Sequence, residues 1–396
     1  MSASGGGRKL RVLCLGYLVR GPMGGMAWHH LQYVAGLSQL GHEVYFVEDS
    51  DDYDSCYHPA TLSMDRDPTY GLRFVSRVFK RLGLSECWAY YDGHLAKWHG
   101  PQAERIVDLC RKADVLLNVS GVNPMRPWFM NIPARAFIDT DPAFTQTRHL
   151  TEPHRRELAE KHTVFFSFGE NIGRNNCTVP SDGISWQATR QPVVLSLWPP
   201  TPGPTDGKFT TVMQWDSYRA QKWDGDRYGM KSESFEDYFD LAQRTGAAFE
   251  LLLSGPAPHD QLRARGWNIR QPHRFAGDPW TYQRYIQRSK AEFSVAKHGY
   301  VVSQCGWFSE RSALYLASGR PVILQDTGYT NWLPSGYGVV AFHNLEEACD
   351  GIKSVSADYK THCQRARELV EEFFDSKKVL TSLIARVLRS SDVTAI

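Results

Sequence analysis

The chain has 396 residues, of which 42% are hydrophobic and 22% charged, and 45 basic against 43 acidic side chains leave a formal net charge of +2. This composition is typical of a soluble globular protein with room for two domains, and the charge balance gives no surplus for general binding to nucleic acid. The eight cysteines include no CxxC pair, which argues against a zinc ribbon and favours reduced thiols.

Long apolar segments are absent from the sequence. No apolar run reaches ~18 residues, the length that spans a bilayer. Residues 12–18 near the start form a short strand pattern rather than a signal peptide. We therefore expect a cytoplasmic protein without a membrane span.

The first predicted elements lie in RKLRVLCLGYLVRGPMGGMAWHHLQYVAGLSQLGHEVYFVED, residues 8–49. Residues 10–15 form an apolar strand, residues 27–40 show the spacing of a helix with one buried face, and residues 42–48 form a second strand. The glycine-rich turn at residues 21–25 allows close approach of the backbone to a ligand, and the helix offers free N–H groups to an anion. A plain strand-to-helix turn explains the same pattern, and the GxGxxG spacing of dinucleotide-binding folds is absent.

Further apolar strands in the first half each run into polar or glycine residues, which is typical of a doubly wound parallel sheet. These strands cover residues 113–121, 134–141 and 162–171. The segment LWPPTPGPTDGKFTTV, residues 197–212, holds four prolines and two glycines, which suit neither a helix nor a central strand. We therefore predict a Rossmann-like domain over residues 1–200 and a linker at residues 201–208.

The second half alternates strands and helices again without repeating the sequence. Strand patterns cover residues 209–214, 247–255, 291–296, 320–326 and 336–342, and helix patterns cover residues 235–244, 258–266, 282–290 and 309–318. Residues 345–388 predict two or three amphipathic helices. The predicted class is α/β, with a second Rossmann-like domain over residues 209–375 and a C-terminal helix over residues 376–396.

The segment CGWFSERSALYLASGRPVILQDTGY, residues 305–329, is the most specific motif of the chain. Ser309 is placed to cap a helix, so the free N–H groups of that helix face the preceding loop. Arg311 and Lys297 supply cations suited to phosphate. The order of loop, helix, Gly-x-Pro, strand and acidic residue resembles the donor-binding segment of GT-B glycosyltransferases, and the opening strand, glycine turn, helix and GHEV resemble the start of that fold.

The resemblance implies a nucleotide-diphosphate sugar as co-substrate, no further cofactor, no bound metal and a hydroxyl-bearing acceptor of unknown kind. It also implies that the C-terminal helix crosses back to the first domain. A lysine after the first strand of the second half, Lys222 or Lys231, is expected near the donor. The donor-binding set that we predict is Gly24, Gly25, Lys222, Lys297, Ser309, Glu310, Arg311, Ser312, Asp326 and Thr327.

A narrower resemblance rests on four other stretches, IDTDPAFTQ, FSFGENIGRNNC, TRQPVVLSLWP and TTVMQW. Together they are similar to a bacterial GT-B group related to the spore-protein glycosyltransferase-like proteins. The resemblance covers residues 10–385. It implies fold and reaction class rather than substrate.

The catalytic pattern of the family is incomplete in this sequence. Plant-type enzymes place a histidine in the turn after strand 1, where this chain has Met26, and the Glu–x7–Glu pair of retaining enzymes falls on Gly306 and Leu314. The candidates for a general base are Asp141, His29 and Glu170, because each lies at a strand or turn end facing the expected cleft. Each also has a structural explanation: Asp141 opens a turn before proline, His29 lies in a patterned helix, and Glu170 binds backbone amides. Asp139, deeper in its strand, is expected to be structural.

Two other functions share the predicted fold. A sugar-nucleotide epimerase converts the donor without an acceptor. A non-catalytic protein binds a nucleotide sugar without turnover, which the missing histidine and glutamate pair favour. Nucleic acid is disfavoured as a partner by the neutral charge and the absence of a recognition motif.

Overall fold

The computed structural model describes residues 8–393. The outermost residues of the predicted terminal segments, 1–7 and 394–396, lie outside the described residues. An eight-stranded sheet, in the order β10-β9-β8-β7-β1-β2-β5-β6, forms the first half. The strands of this half are β1 (Arg11–Leu15), β2 (Glu43–Asp49), β3 (Cys56–His58), β4 (Ser63–Asp65), β5 (Trp88–Asp92), β6 (Lys97–His99), β7 (Val115–Val119), β8 (Ala134–Asp139), β9 (Val164–Ser167) and β10 (Trp186–Ala188). All sheet pairings are parallel except β5 with β6, and β3 and β4 form a separate hairpin.

Helices cover this sheet because its strands are apolar on both faces. They are α1 (Gly24–Gln39), α2 (Thr69–Arg81), α3 (Ile106–Arg111), α4 (Phe144–Thr151) and α5 (Pro153–Ala159). The chain leaves β1 on one side toward β2 and later returns to its other side as β7. Open α/β sheets bind ligands at such a reversal, outside the carboxyl ends of the strands.

A six-stranded parallel sheet, in the order β15-β14-β11-β16-β17-β18, forms the second half and reverses between β11 and β16. The strands of this half are β11 (Phe209–Gln214), β12 (Gln221–Trp223), β13 (Asp226–Tyr228), β14 (Phe249–Ser254), β15 (Trp267–Arg270), β16 (Ala291–Ser294), β17 (Val322–Gln325) and β18 (Val339–Phe342), of which β12 and β13 form a hairpin. The helices are α6 (Lys231–Phe235), α7 (Leu241–Thr245), α8 (His259–Ala264), α9 (His273–Ala276), α10 (Pro279–Arg288), α11 (His298–Ser303), α12 (Glu310–Ala317), α13 (Leu345–Ala357), α14 (Tyr359–Phe373) and α15 (Ser376–Val393). The predicted α/β class with two Rossmann-like halves is confirmed.

One predicted helix, residues 235–244, is broken into α6, a 3₁₀ turn at Glu236–Tyr238 and α7. Phe235, Tyr238 and Leu241 are all buried. Their spacing of three residues matches the 3₁₀ turn, which places every third side chain on one line. Amphipathic spacing alone did not separate this arrangement from a continuous α-helix.

The two halves are joined at several points besides the linker. Helix α1 packs against α10 of the second half, and the Trp28 indole donates to the carbonyl of Pro279 at 2.7 Å. The terminal helix α15 packs against α1 and β8 of the first half. Asn171, completely buried, donates to the carbonyls of Gln304 and Gly328 at 3.0 and 2.9 Å. The carboxyl edges of the two sheets therefore face each other across a short distance.

Candidate active site

The cleft between the two sheets is crossed by a group of charged and phenolic side chains around Asp141, which follows β8. The Lys297 ammonium, which follows β16, lies 2.7 Å from one carboxylate oxygen of Asp141, and the hydroxyls of Tyr218 and Tyr300 donate to the same carboxylate. Arg148 of α4 lies 3.6 Å from the other oxygen. We call these five residues the Asp141 cluster.

Every charge in the Asp141 cluster has a partner. Burial alone would raise the pKa of Asp141, but the charges of Lys297 and Arg148 and the hydrogen bonds of the cluster outweigh it and lower that pKa. Burial, followed by the Asp141 charge, raises the pKa of Tyr218 and of Tyr300. A low-pKa carboxylate whose oxygens already accept from these donors has little basicity left for a substrate proton.

The turn that presents Asp141 is held by Asp139. The Asp139 carboxylate accepts from the Asp141 amide at 2.8 Å, from the Thr145 hydroxyl at 2.7 Å and from the Gln146 amide at 3.1 Å. Ala143 takes a positive φ of 68°, an uncommon conformation for a residue other than glycine. Asp139 is therefore the scaffold of the turn, in line with its expected structural role.

A second cationic position lies nearby and has no partner. Lys231, the first residue of α6, is partly exposed, and within the described part of the chain its ammonium forms neither an ion pair nor a hydrogen bond. Burial and the nearby charges of Arg311 and Lys297 lower the pKa of Lys231 to about 7, against the smaller opposing effect of the Glu292 and Glu310 charges. An arrangement of this kind favours binding of an anion, because an added negative charge would offset both causes.

The amino end of α12 adjoins the cationic group of Lys231, Arg311 and Lys297. Ser309 caps the helix, and its hydroxyl accepts from the Arg311 amide at 3.2 Å. A narrow cavity of about 20 Å³, enough for roughly one water, opens beside this end. The Ser312 hydroxyl is fully buried there without a hydrogen-bond partner. The lining also includes Trp307, Phe308, Ser309, Gln325, Thr327 and Tyr329.

Arg311, predicted to bind phosphate, is engaged within the second half. Its guanidinium donates to Glu292 at 2.5 Å, to Ser294 at 2.7 Å and to the carbonyl of Val212 at 2.8 Å. The Glu292 side chain is fully buried. The structure thus gives Arg311 the role of tying α12 to β11 and β16, and contact with a phosphate stays a prediction.

His29 lies on the first-half wall of the cleft. Its Nε2 is 3.3 Å from the Ser120 hydroxyl, which also accepts from Thr140 at 2.9 Å. Burial lowers the pKa of His29, while the charge of Glu310 across the cleft opposes that shift. Burial raises the pKa of Tyr17 to about 12, with a smaller contribution from Glu310. The neutral imidazole of His29 and the hydroxyl of Tyr17, with Ser120 beside them, therefore face the Glu310 carboxylate of the second half.

The remaining predicted residues lie at the cleft, in a buried turn or on an exposed hairpin. Thr327 lines the cavity at α12, and Glu310 lies near enough to His29 for its charge to act on that imidazole. Glu310 makes no side-chain hydrogen bond or ion pair within residues 8–393. Asp326 is buried and accepts from its own turn, from the Gly328 amide at 2.9 Å and the Thr330 hydroxyl at 2.7 Å. Lys222 is exposed on the β12–β13 hairpin.

Glu170 pairs with Arg190 at 2.8 Å in a two-pronged contact, and Arg190 also lies over the ring of Trp332. This gives Glu170 a structural partner in place of the amides expected from sequence. Its role as a base has no support in this geometry and stays a prediction.

The two glycines of the opening turn lie against the second half. A Cβ at Gly24 would come within 2.6 Å of the carbonyl oxygen of Asp278 and 2.9 Å of that of Ala276, and one at Gly25 would meet the ring of Tyr282 at 3.5 Å. Gly24 thus allows α1 to approach α10 closely. The structure explains this glycine by packing, and contact of either glycine with a donor stays a prediction.

Residues 8–393 contain neither a metal-ligand cluster nor a membrane-spanning helix. In residues 8–393, no group of three or more His, Cys, Asp or Glu side chains is arranged to hold a metal ion. Over the same residues, no helix combines the length and apolar character required to cross a bilayer.

The sequence named Lys231 beside Lys222 as a lysine expected near the donor, but of these two the predicted donor-binding set included only Lys222. Sequence reasoning also missed Arg148, Tyr218 and Tyr300 as partners of Asp141. Tyr218 is 77 positions from Asp141 and Tyr300 is 159 positions away, so no local pattern connects them.

Solved structures share this fold over nearly the whole chain. The alpha-glucosyltransferase in complex with UDP-glucose and DNA containing an abasic site matches with a TM-score of 0.60 at 11% identity, over 96% of this chain and 100% of that chain. AviGT4, a glycosyltransferase involved in avilamycin A biosynthesis, matches with a TM-score of 0.54 at 14% identity, over 97% of this chain and 98% of that chain. Anabaena HepE in complex with UDP and glucose matches with a TM-score of 0.55 at 11% identity, over 96% of this chain and 100% of that chain.

At these identities the likeness establishes the fold, which is GT-B. No family model and no curated protein matches the sequence.

Proposed function

We propose that the protein is a glycosyltransferase that moves a sugar from a nucleotide-diphosphate sugar to a hydroxyl of an acceptor, without a protein-bound metal. The observation that carries the proposal is Lys231, a partly buried cation that forms no ion pair or hydrogen bond within the described chain, beside the amino end of α12. The fold and the ligands of its structural neighbours support the same reaction, since those neighbours hold UDP or UDP-glucose. UDP-glucose is therefore the first donor to test. Membership of the spore-protein-related group stays a resemblance of sequence.

Donor binding is assigned to the second half. Lys231 and the free amides at the start of α12 bind the diphosphate, and the buried Ser312 hydroxyl donates to a donor oxygen that enters the adjoining cavity. As the bond to the sugar breaks, negative charge grows on the departing diphosphate. A fixed cation and fixed amides stabilise that charge without reorganising, which is the main electrostatic contribution to such a reaction.

Acceptor activation is assigned to the first half. Of the three candidate bases, His29 has the best geometry: it is neutral, buried, and within 3.3 Å of the partly exposed Ser120 hydroxyl. In an inverting reaction, Ser120 passes the acceptor proton to His29 as the new C–O bond forms, and Glu310 stabilises the resulting imidazolium. In a retaining reaction no protein base is needed for this proton, so His29 variants separate the two outcomes.

The acceptor side of the cleft carries acidic side chains. Asp51, Asp52 and Asp54 follow β2, and Asp52 and Asp54 pair with Arg126 and Arg66. Asp51 has no cation among its ion-pair partners in residues 8–393. An aspartate without a paired cation in this loop disfavours a polyanionic acceptor such as DNA, although one neighbouring structure contains DNA. We therefore propose a neutral or cationic hydroxyl compound as the acceptor.

Thermal shift with UDP-glucose, UDP, and glucose tests donor binding directly. We expect the nucleotide ligands to stabilise the wild-type protein, by roughly 2.7 kcal/mol at 100 times their Kd, and glucose alone to have no effect. Lys231→Met should weaken UDP binding by about 1.5–3 kcal/mol, the range for a hydrogen bond to a charged group. Lys353→Met, an exposed lysine on α13, is the matched control and should bind UDP as the wild type does.

Four outcomes contradict parts of the proposal. No stabilisation by any nucleotide sugar would remove donor binding altogether. Equal binding to wild type and Lys231→Met would move the diphosphate away from α6. Conversion of the donor sugar without an acceptor would favour an epimerase, and binding without turnover over a panel of acceptors would favour a non-catalytic protein.

A further inference from the structure

We propose that the Asp141 cluster is an interdomain latch, and that Asp141 is a positioning residue which holds the donor wall and the acceptor wall of the cleft at a fixed separation. The link to donor binding rests on the proposed function, whereas the latch itself does not. Asp141 was a candidate base in the sequence, so the proposal replaces one role with another that can be measured separately.

The side chains of the Asp141 cluster come from both halves of the protein, which supports a latch. Asp141 and Arg148 belong to the first half, and Tyr218, Lys297 and Tyr300 belong to the second half. The closest contacts of the Asp141 carboxylate all cross between the halves, and the ammonium of Lys297 also donates to the Tyr218 hydroxyl at 2.6 Å. Separation of the halves would break these contacts together.

Aromatic rings enclose the ammonium of Lys297. Its Nζ lies 4.8 Å from the ring centre of Phe144, 4.5 Å from that of Tyr218 and 5.2 Å from that of Tyr300. The side chain of Lys297 is 13% exposed, so water solvates its ammonium only in part. Cation–π contacts of a desolvated ammonium add to the ion pair, and the latch is therefore specific for a cation at this position.

Thr140 connects the latch to the proposed reaction site. Its carbonyl accepts from the Trp307 indole at 3.3 Å, and Trp307 lines the cavity at α12. Its hydroxyl donates to Ser120, the neighbour of His29. Because Thr140 directly precedes Asp141, a shift of Asp141 would move the donor cavity relative to the His29–Ser120 pair.

Hydrogen–deuterium exchange of the full-length protein tests the latch without any ligand. We expect Asp141→Asn to speed amide exchange by about tenfold or more, the loss expected for a hydrogen bond to a charged group. The faster exchange should occur on both sides of the cleft, in peptides over residues 139–148 and in peptides over residues 216–230 and 297–303. Asp49→Asn is the matched control, because its ion pair with Arg126 lies entirely within the first half at 3.0 Å.

A change confined to residues 139–148 in Asp141→Asn would overturn the latch, because the carboxylate would then only hold its own turn. If Asp141→Asn does not fold, the double variant Tyr218→Phe with Tyr300→Phe keeps the ion pair and removes two cross-cleft hydrogen bonds. This double variant should show the same two-sided pattern at smaller amplitude. Exchange identical to the wild type in the double variant would also overturn the proposal.

Kinetics separate a positioning residue from a base. Asp141→Asn should raise KM for UDP-glucose by about tenfold or more with a smaller fall in kcat, since loosened walls weaken donor binding first. A fall in kcat of ~10²–10⁴ with unchanged exchange on both sides would identify Asp141 as the base instead. If UDP does not bind to the wild type, the proposed function fails, but the exchange result on the latch still stands.

Discussion

Two charged groups face the same cleft and differ in whether each charged side chain has an ion-pair partner; we call a group matched when it does. In the Asp141 cluster, one carboxylate meets two cations and two hydroxyls. At Lys231, two further cations lower its pKa more than Glu292 and Glu310 raise it, and its ammonium forms no ion pair within the described residues. Removing one partner of a matched buried group is costly, whereas an unmatched group gains most from a ligand of opposite charge.

Arg311 belongs with the matched group, although the sequence motif pointed to donor binding. Its partner Glu292 is fully buried, and one oxygen of Glu292 has no hydrogen bond in the structure. Removal of Arg311 would leave a buried carboxylate without its cation. The same substitution at Lys231 breaks no ion pair among the described residues.

Arg311→Ala gives the largest expected effect. We expect the free energy of unfolding to fall by about 3–5 kcal/mol, the range for a buried ion pair that loses one partner. Urea denaturation measures this change, and Arg311→Ala combined with Glu292→Gln should recover part of it. Unchanged stability would place Arg311 with Lys231 in the unmatched group and restore it as a phosphate ligand.

Lys297→Met and Lys231→Met compare the two groups directly, with the same substitution in each. Lys297→Met should lower the free energy of unfolding by about 1.5–3 kcal/mol, because Asp141 loses its closest charged hydrogen bond. Lys231→Met should leave stability unchanged or raise it, because no partner loses a contact. Equal destabilisation of both variants, measured by urea denaturation, would remove the distinction on which the comparison depends.

The fold could be predicted from the sequence because its signals are local. Apolar strands ending in polar or glycine residues, the helix at residues 27–40 and the motif at residues 305–329 each depend on neighbours within one element. The order of these elements then implies a doubly wound arrangement. The broken helix at residues 235–244 shows the limit, since a spacing of three residues suits both an α-helix and a 3₁₀ turn.

The partners in the site could not be predicted, because they are set by contacts between distant segments. Lys297 meets Asp141 across 156 positions, and Arg311 meets Glu292 rather than a solvent-facing site. Residue type indicated that Arg311 and Lys297 suit phosphate but gave no information about whether another side chain already held them. Lys231 differs from them because it has no ion-pair partner within the described residues, and no sequence pattern indicates that a partner is missing.

The smallest expected effect is the pH dependence of UDP-glucose binding, and it tests the unmatched state of Lys231 itself. The pKa of Lys231 is lowered to about 7, first by burial and then by Arg311 and Lys297. Below that pH the ammonium is already charged, so affinity should be constant. Above it, binding must also protonate the lysine, so Kd should rise with pH, by at most about tenfold per unit. Titration calorimetry should cover the range from pH 6.5, about half a unit below the lowered pKa, to pH 8.5, about one and a half units above it. Proton uptake on binding should appear at the upper end of this range.

Lys231→Arg is the matched variant, because arginine stays charged throughout this range and should bind with a pH-independent affinity. The lowered pKa of Lys231 also determines whether the free energy of unfolding rises or falls with pH in the absence of ligand. The unfolded chain holds its proton up to the ordinary lysine range while the folded chain releases it near pH 7, so the wild type should become more stable as pH rises through this window. A UDP-glucose affinity that does not change between pH 6.5 and 8.5, a span chosen about the lowered pKa, would show that Lys231 keeps its full charge. Lys231 would then have an anionic partner in solution, and the two groups would no longer differ.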